Sequence, residues 1–142
     1  MTKMTAAEFQ ALIEDTLPLV AFFKLKVDSM GRGRCVLRLP YGSEHVRPGG
    51  TISGPAQMAL ADACMFGVVL SMIGRVELAV TTNLNINFLR KPAETDLVAD
   101  GRIIKLGKRL AVCEVSVTSD ADGELVAHVT GTYSIPPAKG ER

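Results

Sequence analysis

A chain of 142 residues makes one domain of ordinary size, long enough to bury a sizeable core. Its net charge of +1 comes from 16 basic and 15 acidic residues scattered along the sequence, which excludes the basic stripe of a nucleic-acid binder. Three dispersed cysteines without a CxxC pair, and only two histidines, exclude a disulfide framework and a His-rich metal site.

The first element is a short amphipathic helix. Thr5 followed by Glu8 has the spacing of a capping box, and Phe9, Leu12 and Ile13 fall on one side of the turns that follow. The opening segment carries no apolar core of an export signal, so a cytoplasmic protein is expected. Residues 20–27 alternate, with Ala21, Phe23, Leu25 and Val27 against Lys24 and Lys26, and predict a strand. Residues 34–39 do the same through Cys35, Leu37 and Leu39, and Met30-Gly31-Arg32-Gly33 supplies a hairpin turn between the two.

Residues 54–74 organise the rest of the chain. Turn residues Arg47-Pro48-Gly49-Gly50 and Ser53 lead into Gly54, read as the cap, with Pro55 at the first helical position. The helix that follows is apolar at nearly every angle, which marks it as surrounded on all sides. Its length approaches that of a bilayer span, but Gln57 and Asp62 lie inside it and strands flank it, so a core helix is expected and no membrane contact. Asp62 is the one carboxylate in the run. Without a neighbouring Lys or Arg its burial costs several kcal/mol, roughly, unless function or backbone amides that pin the helix account for it.

After the helix the longest alternation in the chain, residues 76–89, predicts one long strand. One face reads Val76, Leu78, Val80, Thr82, Leu84, Ile86, Phe88 and is taken as buried; Asn83, Asn85 and Asn87 lie on the other. Residues 96–104, 110–118 and 125–135 are further strands, joined by turn sequences at Gly107-Lys108 and Asp120-Ala121-Asp122-Gly123. A polar tail begins at Pro136. The whole chain, residues 1–142, is therefore one α+β domain in which a curved antiparallel sheet wraps a long central helix.

That order of elements, with Gly54 eight residues before Asp62 in Leu60-Ala61-Asp62-Ala63, then Asn87-Phe88-Leu89-Arg90 and Pro92, Gly107-Lys108-Arg109 and Leu125-Val126-Ala127, resembles the hotdog-fold acyl-CoA thioesterases of the PaaI-like group, in the 4-hydroxybenzoyl-CoA thioesterase superfamily. The resemblance runs over residues 43–133. It implies hydrolysis of an aryl- or aliphatic acyl-CoA to the free acid and CoA, with no cofactor beyond the CoA of the substrate and no metal. Gly54 then corresponds to the residue whose N–H polarises the thioester carbonyl, and Asp62 to the carboxylate that acts as general base or nucleophile. Thr81 stands where some members place a Ser or Thr in the site, and Thr82 is the neighbouring candidate, the choice depending on a bulge.

Several positions depart from the family pattern. Ser53 replaces a His before the helix-start Gly, Arg47 an Asn six residues earlier and Pro55 a second Gly; Ser53 or His45 is then the available substitute for the missing imidazole. His45 is otherwise a loop residue. Met58, Met65 and Phe66 lie near Asp62 on helical spacing and line either the acyl pocket or the plain core. Arg90, Lys91, Lys108 and Arg109 correspond to strand-end and turn positions that contact CoA, or are ordinary solvated charges. The resemblance also implies a homodimer or a dimer of dimers, which would cover the edge of the long strand. The alternative function is a noncatalytic acyl-CoA or acyl-carrier binding hotdog protein.

Overall fold

The computed structural model describes residues 1–137, so most of the tail from Pro136 lies outside the described residues. Helix α1, Ala6–Thr16, starts on a capping box in which Glu8 N–H donates to Thr5 Oγ1 at 3.2 Å and Thr5 N–H to Glu8 Oε1 at 2.9 Å. Its apolar side, Phe9, Leu12 and Ile13, is buried.

The strand predicted over residues 20–27 is mostly not one. Pro18 sits at the start of a second helix, α2, Pro18–Phe23, which buries Val20 and ends where Lys24 turns left-handed at φ 57°. Proline pre-set for a helix start outweighs a two-residue alternation that is equally readable as one helical turn. The chain becomes extended only at β1, Lys26–Gly31, which pairs through a tight turn with β2, Arg34–Leu39.

A single turn of 3₁₀-helix, Ser43–His45, leads to the central helix α3, Gly54–Ile73. Its cap is Ser53 and not Gly54: Ala56 N–H donates to Ser53 Oγ at 3.2 Å, which moves Gly54 to the first helical position and Pro55 to the second. A serine oxygen reaches a free helix N–H where glycine has nothing to offer, so Ser takes the cap. The helix is long and apolar enough to cross a membrane, but two-thirds of its most apolar window is buried inside the protein.

That burial comes from the sheet. Strands β3 (Val80–Phe88), β4 (Leu97–Leu106), β5 (Leu110–Ser119) and β6 (Leu125–Ser134) join the first two in one antiparallel six-stranded sheet of order β1-β2-β4-β5-β6-β3. Inward positions of β2, β4, β5 and β6, among them Leu37, Ala99, Val115 and Val129, are fully buried against α3. The approach is close: a Cβ on Gly101 of β4 would lie 2.8 Å from Cys64 Sγ of the helix. This is the hotdog fold. Cys35, Cys64 and Cys113 are free and buried in the same layer. Burial pushes the Cys113 thiol up to about 12, and the hydrogen bond at Cys35 followed by burial raises that of Cys64.

The strand expected over residues 76–89 begins only at Val80, and it is an edge strand with no fully buried side chain. Leu84 and Ile86 are half-buried, while Val80 and Phe88 are each 51% exposed. Pairing with β6 steps from Thr81↔Tyr133 to Asn83↔Thr132, so Thr82 is an extra residue in a bulge. A bulge reverses the alternation beyond it. The inner face of β3 therefore runs Phe88, Ile86, Leu84 and then Thr81, in place of Thr82.

Candidate active site

Asp62 lies midway along α3, half-buried, on the side where the helix meets the β3–β6 end of the sheet. The register of that strand pair brings two hydroxyls onto it. Thr81 and Tyr133 are directly opposed across the ladder and so project from one face. Thr81 Oγ1 donates to Asp62 Oδ1 at 2.6 Å, and the Tyr133 hydroxyl lies 2.8 Å from the same oxygen and 3.0 Å from the Asp62 backbone carbonyl. The carboxylate is thus neither deeply buried nor unpartnered, a correction to its reading as a lone charge in an apolar helix. Hydrogen bonds from two hydroxyls hold it without a cation.

Tyr133 was not legible as a site residue, although the period of β6 aims it inward with Val129 and Gly131. Phe66, one helical turn after Asp62, stacks on its ring with centroids 6.1 Å apart and planes 18° apart. Burial, and next the neighbouring Asp62 charge, hold the Tyr133 phenol well above its ordinary value, so it stays a neutral donor. A cavity of about 500 Å³ opens beside this group, with Asp62, Thr81 and Tyr133 on its polar side and Leu17, Ala59 and Phe66 among its apolar walls.

Gly54 faces a different cavity, of about 440 Å³, bordered by Arg47, Gln57, Phe88, Arg90 and Lys91. At the start of α3, Ala56 N–H is taken by Ser53 Oγ, Gln57 N–H by the Ser53 carbonyl at 3.2 Å, and Pro55 has none. The Gly54 N–H is left as the helix-start donor without a partner among the described residues, at the positive end of a helix 20 residues long. Gln57 is buried beside it, donating from Nε2 to the Ile52 carbonyl at 3.3 Å. Gly54 and Asp62 are eight residues apart, about 12 Å along the axis at the usual rise. One chain does not bring them to a single reacting group.

The remaining candidates separate. Thr82 turns away from Asp62 and donates to the Thr132 carbonyl at 3.1 Å. Met58 is 41% exposed and Met65 fully buried against Gly131, and neither borders the Asp62 cavity, whereas Phe66 does. His45 is buried against Phe23, with no hydrogen-bond partner for either ring nitrogen among the described residues; its backbone carbonyl accepts from Ser53 N–H at 2.8 Å and so steadies the cap. Arg90 pairs with Glu124 at 3.4 Å while bordering the Gly54 cavity with Lys91. Lys108 and Arg109 occupy the β4–β5 turn and border neither cavity. Arg47, which the sequence offered only as a departure from the pattern, borders the Gly54 cavity.

A single long helix wrapped by a curved six-stranded antiparallel sheet is the architecture of the hotdog thioesterases. The family profile of the thioesterase superfamily matches residues 49–126, more than half of the chain, which therefore belongs to that superfamily. The crystal structure of a protein from Silicibacter sp. TM1040 is 38% identical, with a TM-score of 0.87 over 96% of this chain and 95% of that one. The phenylacetic acid degradation protein PaaI of Thermus thermophilus, in a mutant form, is 27% identical at a TM-score of 0.75, covering 84% of this chain and 99% of its own. Human acyl-coenzyme A thioesterase 13 is 28% identical over 106 residues, 73% of this chain and 74% of the human protein.

Proposed function

We propose that the protein hydrolyses acyl-CoA thioesters, with Asp62 as the reactive carboxylate. The observation that carries this is the Asp62 group itself: a carboxylate fixed by two hydroxyls on one oxygen at the polar side of a cavity walled mainly by apolar residues. Such a cavity suits an acyl chain or ring whose carbonyl carbon stops at the carboxylate. Asp62 takes a proton from water, the water oxygen bonds to the carbonyl carbon, and the C–S bond breaks as the proton passes to the departing thiolate.

The developing oxyanion needs a donor, and Gly54 N–H of a second copy supplies it. Two observations support a two-chain site: the 12 Å or so between Gly54 and Asp62 within one chain, and the unpaired edge of β3, where Val80 and Phe88 stand half exposed. The name of the human relative, and the basic rim of Arg47, Arg90 and Lys91 beside Gly54, favour CoA as the thiol.

The test is release of free thiol from a panel of aryl and aliphatic acyl-CoAs. Catalytic turnover of at least one class is expected. Binding of acyl-CoA without thiol release would instead make the protein a noncatalytic acyl-CoA binder.

A further inference from the structure

We infer that Tyr133 is the positioning residue of the reaction: it aims the Asp62 carboxylate so that Oδ2, and not Oδ1, meets the reacting water. The inference rests on the reading of Asp62 as the reactive carboxylate. It starts from the rotational freedom of an aspartate on a helix, whose two oxygens exchange by rotation about χ2 unless something distinguishes them. Here something does. Both hydroxyl donors converge on Oδ1, and the Tyr133 hydroxyl lies within hydrogen-bond distance of the Asp62 backbone carbonyl as well, spanning the side chain from root to tip. Oδ2 has no partner among the described residues and is the oxygen left for a proton.

Tyr133 suits the task better than Thr81. Thr81 is exposed and sits next to a bulge at the sheet edge, so its hydroxyl is free to turn to water. Tyr133 is 3% exposed, on a strand paired on both sides, and its ring is stacked on Phe66. Its aim is set by packing before substrate arrives. Because Phe66 also walls the cavity, the surface that receives the acyl group is the one that steadies the tyrosine. The other carboxylate bordering the cavity, Glu77, is held by Arg75 at 2.9 Å, which leaves Asp62 as the group the tyrosine addresses.

The test compares Tyr133→Phe with Asp62→Asn in the full chain. Tyr133→Phe keeps the ring and its stacking, so kcat should fall by roughly 10- to 100-fold, the scale of a misaimed group, with KM within about twofold. Replacing tyrosine by 3-fluorotyrosine in a Tyr41→Phe background labels Tyr133 alone, since the chain has two tyrosines. The stronger donor grips Oδ1 more tightly and should shift kcat by at least about twofold with KM held, and this measurement stands even where Tyr133→Phe folds poorly. With Asp62→Asn inactive, unchanged kcat in Tyr133→Phe, or a kcat unmoved by fluorination, overturns the inference alone. Full activity in Asp62→Asn overturns the reading of Asp62 and the inference with it.

Discussion

Ser53 joins the stability of the central helix to the electrostatics of its first N–H, and substitutions there separate the two. Ser53→Ala removes the oxygen that accepts from Ala56 N–H at 3.2 Å, a loss of about 1 kcal/mol for an N-cap. For a domain of this size 1 kcal/mol is about 3 °C in Tm. Ser53→Asp keeps a capping oxygen and adds a negative charge where the helix end favours one, so stability should hold or rise. The same charge faces the developing oxyanion at Gly54. At about 6 Å and an effective dielectric near 20 the repulsion is about 3 kcal/mol, or roughly 100-fold in kcat. Thermal unfolding and steady-state hydrolysis on the same preparations read both quantities. The expected pattern is a lower Tm with largely retained kcat for Ser53→Ala, and a retained Tm with much reduced kcat for Ser53→Asp. Wild-type kcat in a folded Ser53→Asp protein would refute the placing of the oxyanion at Gly54.

Three further outcomes follow from the fold. Gly131→Ala puts a Cβ 2.6 Å from Met65 Sδ and 2.9 Å from the Asn83 carbonyl of β3; the methionine can yield but the backbone cannot. A loss of about 1–3 kcal/mol, or roughly 3–10 °C in Tm, is expected by calorimetry. The three buried thiols should stay silent to Ellman's reagent at pH 8 in the native protein and all react in guanidinium, since burial holds the Cys113 thiol near 12 and raises that of Cys64; fast reaction of any of them in the native state would contradict the packing. Light scattering should give a homodimer or a multiple of it, and a stable monomer at micromolar concentration would leave the two-chain site without its second chain.

Much of the fold was legible because its signals are periodic and strong. The two-residue alternation of β2, the apolar run after Ser53 and the Thr5–Glu8 capping box each name an element whose burial the sheet then explains. The misreadings have physical causes. In residues 20–27, a helix primed by Pro18 competes with alternation over a window too short for the two periods to differ. At residues 76–89 the pattern of β3 is real, but the bulge at Thr82 reverses its faces, and an edge strand buries only part of what alternation promises. The site was partly legible. Gly54 and Asp62 stand out by spacing, and which of Thr81 and Thr82 meets Asp62 turns on a bulge that sequence does not reveal. Tyr133 reaches Asp62 only through strand register, 71 residues away along the chain, and no local pattern announces such a contact.

Asp62→Asn measures the central claim most directly. The amide keeps an acceptor for Thr81 and Tyr133, so the two hydrogen bonds weaken from charged to neutral, about 1 kcal/mol each, and relief from desolvation of the charge offsets part of the loss. The folded protein should therefore survive with Tm within about 6 °C of wild type. If Asp62 moves the proton, kcat for the preferred acyl-CoA should fall by roughly 10²- to 10⁴-fold with acyl-CoA binding retained. A folded Asp62→Asn protein that releases thiol at the wild-type rate would contradict the account.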